Sequence, residues 1–169
     1  AISDDIGFNA DLIFIDPYNS LKIDSKGNSH EYHYDAIENM RIFTQTTGKS
    51  IFLNCHTVTE AQRVKPDQYG EIKRPMASDV EGGGKFPNKS DDTWVIHRQL
   101  FATETEKRYV SELYVDKVRN TDGGGYPTPY TEPILFKFNK DWTGFTNDHD
   151  QVEKFRVKDY NERHEDLPF

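Results

Sequence analysis

The sequence predicts an α/β fold with a mostly parallel central sheet and antiparallel strands toward its C-terminal end. Three observations predict it. Two short apolar runs, Leu12-Ile13-Phe14-Ile15 and Ile51-Phe52-Leu53, have the composition of strands buried on both faces. Between them, apolar residues recur at helical spacing. Farther on, residues 93–97, 109–118 and 134–138 carry strand signals separated by polar connections.

The first run stops at Asp16-Pro17, because proline cannot continue a central strand. Residues 19–33 read as a polar loop. Asp35 followed by Glu38 reads as a helix start. Ile37, Met40 and Phe43 then repeat every three residues, with Tyr34 and Ala36 near the same face. Thr46-Thr47-Gly48 closes the helix, glycine being the usual residue just past a helix end. The second apolar run ends at Asn54-Cys55-His56. Strand, helix, strand in this order predicts a right-handed parallel crossover. Residues 57–76 read as a polar, mobile loop with Lys65-Pro66-Asp67 and Arg74-Pro75. Residues 79–92, with Gly82-Gly83-Gly84 and Pro87, read as a second loop with room for a short helical turn. Strands at 93–97 and 109–118 fit a hairpin through the charged segment 103–108. A loop rich in Gly, Thr and Pro spans 119–133, and 134–138 is the final strand expected. Residues 150–164 allow a frayed, charged helix.

Composition bounds the function. With 169 residues and 34% hydrophobic content, the chain has material for one modest core, helped by 13% aromatic residues. No apolar run approaches the roughly 20 residues that span a bilayer. The single cysteine, Cys55, rules out an internal disulfide framework and suits a reducing compartment. The net charge of -8 argues against binding nucleic acid over the whole surface, though not against a local basic site. The chain opens Ala1-Ile2-Ser3, without Met, and is read as a piece of something longer.

Several residues carry chemistry by position. Asp16 ends an apolar strand, and in open parallel sheets ligands gather beyond the carboxyl ends of the strands. A carboxylate there can hold magnesium through water, or can simply end a strand. His56 closes the next strand, which puts it on the same sheet edge as Asp16; alone, it reads as a loop histidine. Lys117 and Arg119 share one strand face by the period of two, just before Gly123-Gly124-Gly125. Two cations there suit a phosphate, or are solvated charges at a hairpin end. Gly82-Gly83-Gly84-Lys85 is not a P-loop, because Phe86 stands where Ser or Thr must follow the lysine. Lys89-Ser90 fails because Asn88 replaces the glycine. His30 and His33 lack further ligands at zinc spacing and read as surface residues. Cys55 reads as a small buried residue.

The order of these segments resembles the C-terminal half of the RecA-like motor domain of hexameric replicative DNA helicases. The phage primase–helicase, Twinkle and DnaB types are the nearest subset. The resemblance rests on LIFIDPYNSL at 12–21, Asn54-Cys55-His56, RPMASDVEGGGKFPNKSDD at 74–92 and DKVRNTDGGG at 116–125, and it covers about residues 10–145. It implies a partial RecA-like core that lacks its Walker A half, over residues 1–147, followed by a charged tail, 148–169. It implies that Asp16 is the Walker B aspartate, indirectly holding Mg2+. His56 is then similar to the γ-phosphate-sensing switch, Arg119 to an arginine finger acting across a subunit boundary, and Lys117 to its companion. Arg98 and Phe138 would flank the nucleotide base. The loops 57–75 and 79–91 would face single-stranded DNA, with Arg63, Lys65, Lys73, Arg74, Lys85 and Lys89 as the available cations. At 79–82 this chain has Val80 and Glu81 where the family often has an arginine.

The implied parent is an ATP-dependent DNA helicase. It would use Mg2+ with ATP or another NTP, act as a homo-hexamer on single-stranded DNA in the cytoplasm of a bacterial or phage-infected cell, and work with a fused or separate primase. No membrane partner is expected. The Walker A loop and the catalytic glutamate are not in this sequence, so the chain alone is expected neither to bind ATP tightly nor to hydrolyse it. A RecA-type recombinase or clock-type ATPase fragment, and a non-catalytic α/β interaction module, are the competing readings.

Overall fold

A computed structural model of the chain describes residues 10–21, 29–58, 64–139 and 144–147. The tail 148–169, its expected helix and Arg63 lie outside the described residues. The described residues fall into two compact units, one within 1–63 and 75–93, the other within 64–74 and 94–169.

The first unit is built on two parallel strands, β1 (Leu12–Ile15) and β2 (Ser50–Leu53), joined by the helix α1 (Ser29–Thr47). The register pairs Ile13 with Ile51 and Ile15 with Leu53. Alternation then sorts the faces. Leu53 packs with Ala36, Met40, Cys55 and Val80 around buried Tyr18, Ile37 and Phe86. On the opposite face Phe14 stays 69% exposed and stacks on Phe52 at 5.0 Å. The strands are therefore not buried on both faces, as their apolar composition predicts.

α1 begins at Ser29, well before the Asp35 start expected from sequence. Residues 29–34 contain neither Gly nor Pro, and His33 lies one turn before Ile37 on the buried face. Tyr34 faces outward instead, with the Lys89 ammonium 4.8 Å from its ring centre. The helix closes as expected: Gly48 takes φ +70° and donates to the Thr44 carbonyl at 2.9 Å. Residues 76–84 turn back toward β2 through a Thr57–Val80 bridge, and a short helix follows at Lys85–Lys89. Gly82 sits at φ +89°, where a Cβ would lie 2.8 Å from Phe86 Cε2 and 3.3 Å from His33 Cβ. Close packing thus accounts for a glycine in the run that superficially resembles a phosphate loop.

The second unit holds an antiparallel sheet in the order β3 (Asp92–His97), β4 (Val110–Val118), β5 (Ile134–Asn139), β6 (Gly144–Asn147). β3 and β4 are neighbours, as the hairpin reading requires. β6 is an addition: Phe145 pairs with Phe138, and their rings meet edge-on at 5.4 Å. Residues 64–74, expected to be a mobile loop, are tied down. The Gln99 side chain accepts from the Ile72 N–H at 2.8 Å and donates to the Ile72 carbonyl at 3.1 Å. The Thr103 N–H and hydroxyl both donate to the Tyr69 carbonyl, and the Asp67 carboxylate caps the turn by accepting from Tyr69 and Glu71 N–H groups. No described helix is long and apolar enough to cross a membrane.

Candidate functional site

The parallel register of β1 and β2 ends both strands together, with Ile15 beside Leu53. Asp16 and Asn54 therefore leave the same edge, and the Asn54 side-chain amide donates to the Asp16 carboxylate. The chain continues through a cis Asp16–Pro17 peptide into a turn at Tyr18–Ser20. The turn is fixed to β2: the Tyr18 N–H donates to the Asn54 carbonyl at 2.7 Å, and the Asn54 N–H to the Ile15 carbonyl at 2.9 Å. The Asn19 side-chain oxygen accepts the His56 N–H at 2.8 Å. The structure thus brings the regions around Asp16 and His56 to one edge, both residues exposed.

Beneath this edge lies a buried polar cluster that the sequence reading missed. His33, expected at the surface, is only 2% exposed. Its Nδ1 meets the Tyr18 hydroxyl at 2.8 Å, and both rings pack near Phe86. Its Nε2 is buried with no hydrogen-bond partner and lies 3.7 Å from Glu81 Oε1. Burial pushes the Tyr18 hydroxyl up to about 12, so it remains a proton donor at neutral pH. Burial likewise pushes the Cys55 thiol up to about 11, which keeps it protonated and a poor nucleophile. A signal for His33 was present, since it stands four residues before Ile37 on a helical face.

In the second unit, Lys117 lies within β4 and is partly buried, and Arg119 follows the strand end, exposed. Asn120 caps the next turn by accepting from the Gly123 N–H at 3.3 Å. Arg98 donates to the Arg108 carbonyl at 2.7 Å, while Phe138 packs on Phe145, so each has a partner of its own.

The candidate DNA-facing cations divide into two groups. Lys65 and Lys73 are exposed, and Lys85 is partly buried at the start of the short helix. Lys89 pairs with Glu38 at 2.6 Å, which holds the Glu38 carboxyl below its usual range. Arg74 pairs with Asp116 at 2.8 Å and lies over the rings of Tyr114 and Tyr130. Asp16 has lone pairs beyond the one that Asn54 occupies, so it can serve as a single carboxylate toward a hydrated magnesium ion. Among the described residues no group of three or more His, Cys, Asp or Glu could hold a metal ion. That suits an ion held mainly by phosphate and water.

No protein-family model matches the chain, and no curated protein matches it. Among solved structures, one ATPase domain is similar, with a TM-score of 0.62 and 17% sequence identity. The match covers 80% of this chain and 44% of that one, so the chain spans less than half the length of that structure. The likeness shows the fold, the partial RecA-like α/β architecture expected from the sequence.

Proposed function

We propose that the chain is part of an NTP-driven motor that translocates on single-stranded DNA and unwinds duplex, with 1–147 forming motor structure and 148–169 a charged tail. The observation that carries this reading is the shared sheet edge, where parallel strands present Asp16 and the Asn54-Cys55-His56 segment together on the fold of an ATPase domain. The activity belongs to the longer parent.

In this reading Asp16 holds magnesium through water, and Asn54 orients its carboxylate. The magnesium-bound nucleotide supplies the phosphoanhydride whose hydrolysis drives movement. His56, on the same edge, responds to the terminal phosphate. Arg119, with Lys117 beside it, reaches the nucleotide of a neighbouring subunit in a ring of six. Arg98 and Phe138 belong to the base-binding region. Lys65, Lys73 and Lys85 contact the DNA backbone, and six copies would line a channel despite the acidic total. Arg74 and Lys89 support the loops rather than touch DNA, because each already has a carboxylate partner. A primase partner and a cytoplasmic site of action belong to the same reading.

The test is nucleotide hydrolysis by the full-length parent. Arg119→Ala is expected to lower the rate by about 10³ or more. A loss well under tenfold refutes the finger assignment. The 169-residue chain alone is expected to show no steady-state hydrolysis.

A further inference from the structure

Asn19 occupies an unusual position in the first unit. Its side-chain oxygen accepts the His56 N–H at 2.8 Å, and its side-chain nitrogen donates to Glu81 Oε2 at 3.3 Å. The main-chain N–H of His56 can only donate, so it fixes which way the amide faces and leaves the NH2 group for Glu81. An aspartate in that place has no donor, and serine or threonine has a shorter side chain. The amide therefore joins two segments far apart in sequence, the exit of β2 and the 79–84 turn. The same segments also meet directly, through the Thr57–Val80 bridge and the Val58 N–H donating to the Asp79 carbonyl at 2.7 Å.

Glu81 has a second group waiting. With the Tyr18 hydroxyl donating to Nδ1, the His33 ring proton sits on Nε2, buried and 3.7 Å from Glu81 Oε1. That is just beyond hydrogen-bond length. A carboxylate movement of under about 1 Å would complete the bond. Glu81 is thus poised between an amide it already binds and a buried imidazole lacking its partner. A small displacement of the β2 exit has a discrete place to go, as switching elements require.

We propose that Asn19 is a positioning residue that carries movement of the His56 main chain to the 79–84 turn through Glu81, with His33 as the alternative partner of that carboxylate. The inference rests on the motor reading above. In that reading His56 responds to the nucleotide and the turn lies among the DNA-facing loops, so Asn19 links the two events.

The experiment measures nucleotide hydrolysis by the full-length parent with and without single-stranded DNA. Asn19→Asp keeps an acceptor for the His56 N–H but sets a carboxylate against Glu81. The ratio of DNA-stimulated to DNA-free rate is expected to fall by about fivefold or more, within the range of ordinary coupling energies. Adding Glu81→Gln supplies a donor to the new aspartate, rebuilding the link with its polarity reversed, and is expected to restore the ratio. An unchanged ratio in Asn19→Asp overturns the inference, and so does a lost ratio that the double variant fails to restore. Either result leaves the motor reading standing. A wild-type parent that hydrolyses no nucleotide, or ignores DNA, removes the motor reading and this inference together.

Discussion

Replacing Arg74 tests whether this cation holds the second unit together or waits for DNA. Its side chain is 9% exposed, and Asp116, its partner at 2.8 Å, is 20% exposed. The guanidinium carbon sits 4.2 Å from the Tyr114 ring centre and 4.3 Å from that of Tyr130, so the group is stacked on two aromatic faces. Breaking a buried pair by removing one partner costs about 3–5 kcal/mol. The partial exposure of Asp116 lowers that to roughly 2–3 kcal/mol, since water can reach the abandoned carboxylate. Two cation–π contacts add about 0.5–1 kcal/mol each. The Nε is buried without a hydrogen-bond partner, so its removal relieves a penalty and pulls the total down. Arg74→Ala is thus expected to destabilise the chain by about 2–4 kcal/mol. Arg74→Lys keeps the charge but loses the planar fork and the stacking, for roughly half that loss. Urea unfolding followed by tryptophan fluorescence reads both. An Arg74→Ala chain within about 1 kcal/mol of wild type refutes the structural assignment. Weakened DNA binding by the parent at unchanged stability would place the guanidinium on the nucleic acid instead.

Two further predictions concern the chain alone. Gly70 takes φ +75°, and a Cβ there would fall 2.1 Å from the Phe101 carbonyl oxygen, a backbone atom that cannot swing aside. Gly70→Ala is expected to lower stability by more than about 2 kcal/mol, whereas Gly48→Ala, at φ +70° with open space around it, loses only about 1 kcal/mol; equal thermal shifts for the two would refute the clash. Cys55 and Tyr18 have ordinary values of 9.0 and 10.0 and are raised to about 11 and about 12, chiefly by burial. Their contribution is present below the ordinary values and is lost as pH climbs through the raised ones, because the unfolded chain gives up those protons first. The urea midpoint is expected to fall between about pH 9 and 12, and a midpoint that rises there refutes the burial account.

The elements most legible in the sequence were those with a strong local cause. Pro17 ended β1, Gly48 ended α1, and two apolar runs flanking a helical pattern gave the parallel pair. What escaped the sequence depended on contacts between distant residues. Nothing local in 64–74 announces that the Gln99 amide would bond both polar groups of Ile72. β6 is four residues containing a glycine, and it gains its place by pairing with β5. Spacing was read at His30 and His33 for zinc, and the same spacing concealed a helix that starts six residues early and turns His33 inward. At the candidate site the sequence put Asp16 and His56 on one edge. It could not show Asn19 between His56 and Glu81, since that depends on where the 79–84 turn returns.

The two units are interleaved along the chain, which leaves one at 63, returns at 75 and crosses again at 93. Neither can be released by a single cut. Truncation after Thr93 would keep every segment of the first unit, yet it would carry 64–74 along without Gln99, Thr103 or Asp116 to hold it. Ile72 would lose both bonds to Gln99, and Arg74 would lose its carboxylate and both rings. A shorter piece would therefore expose a protease-sensitive stretch that the whole chain protects. Dissecting the molecule calls for loop replacement or circular permutation rather than removal of an end.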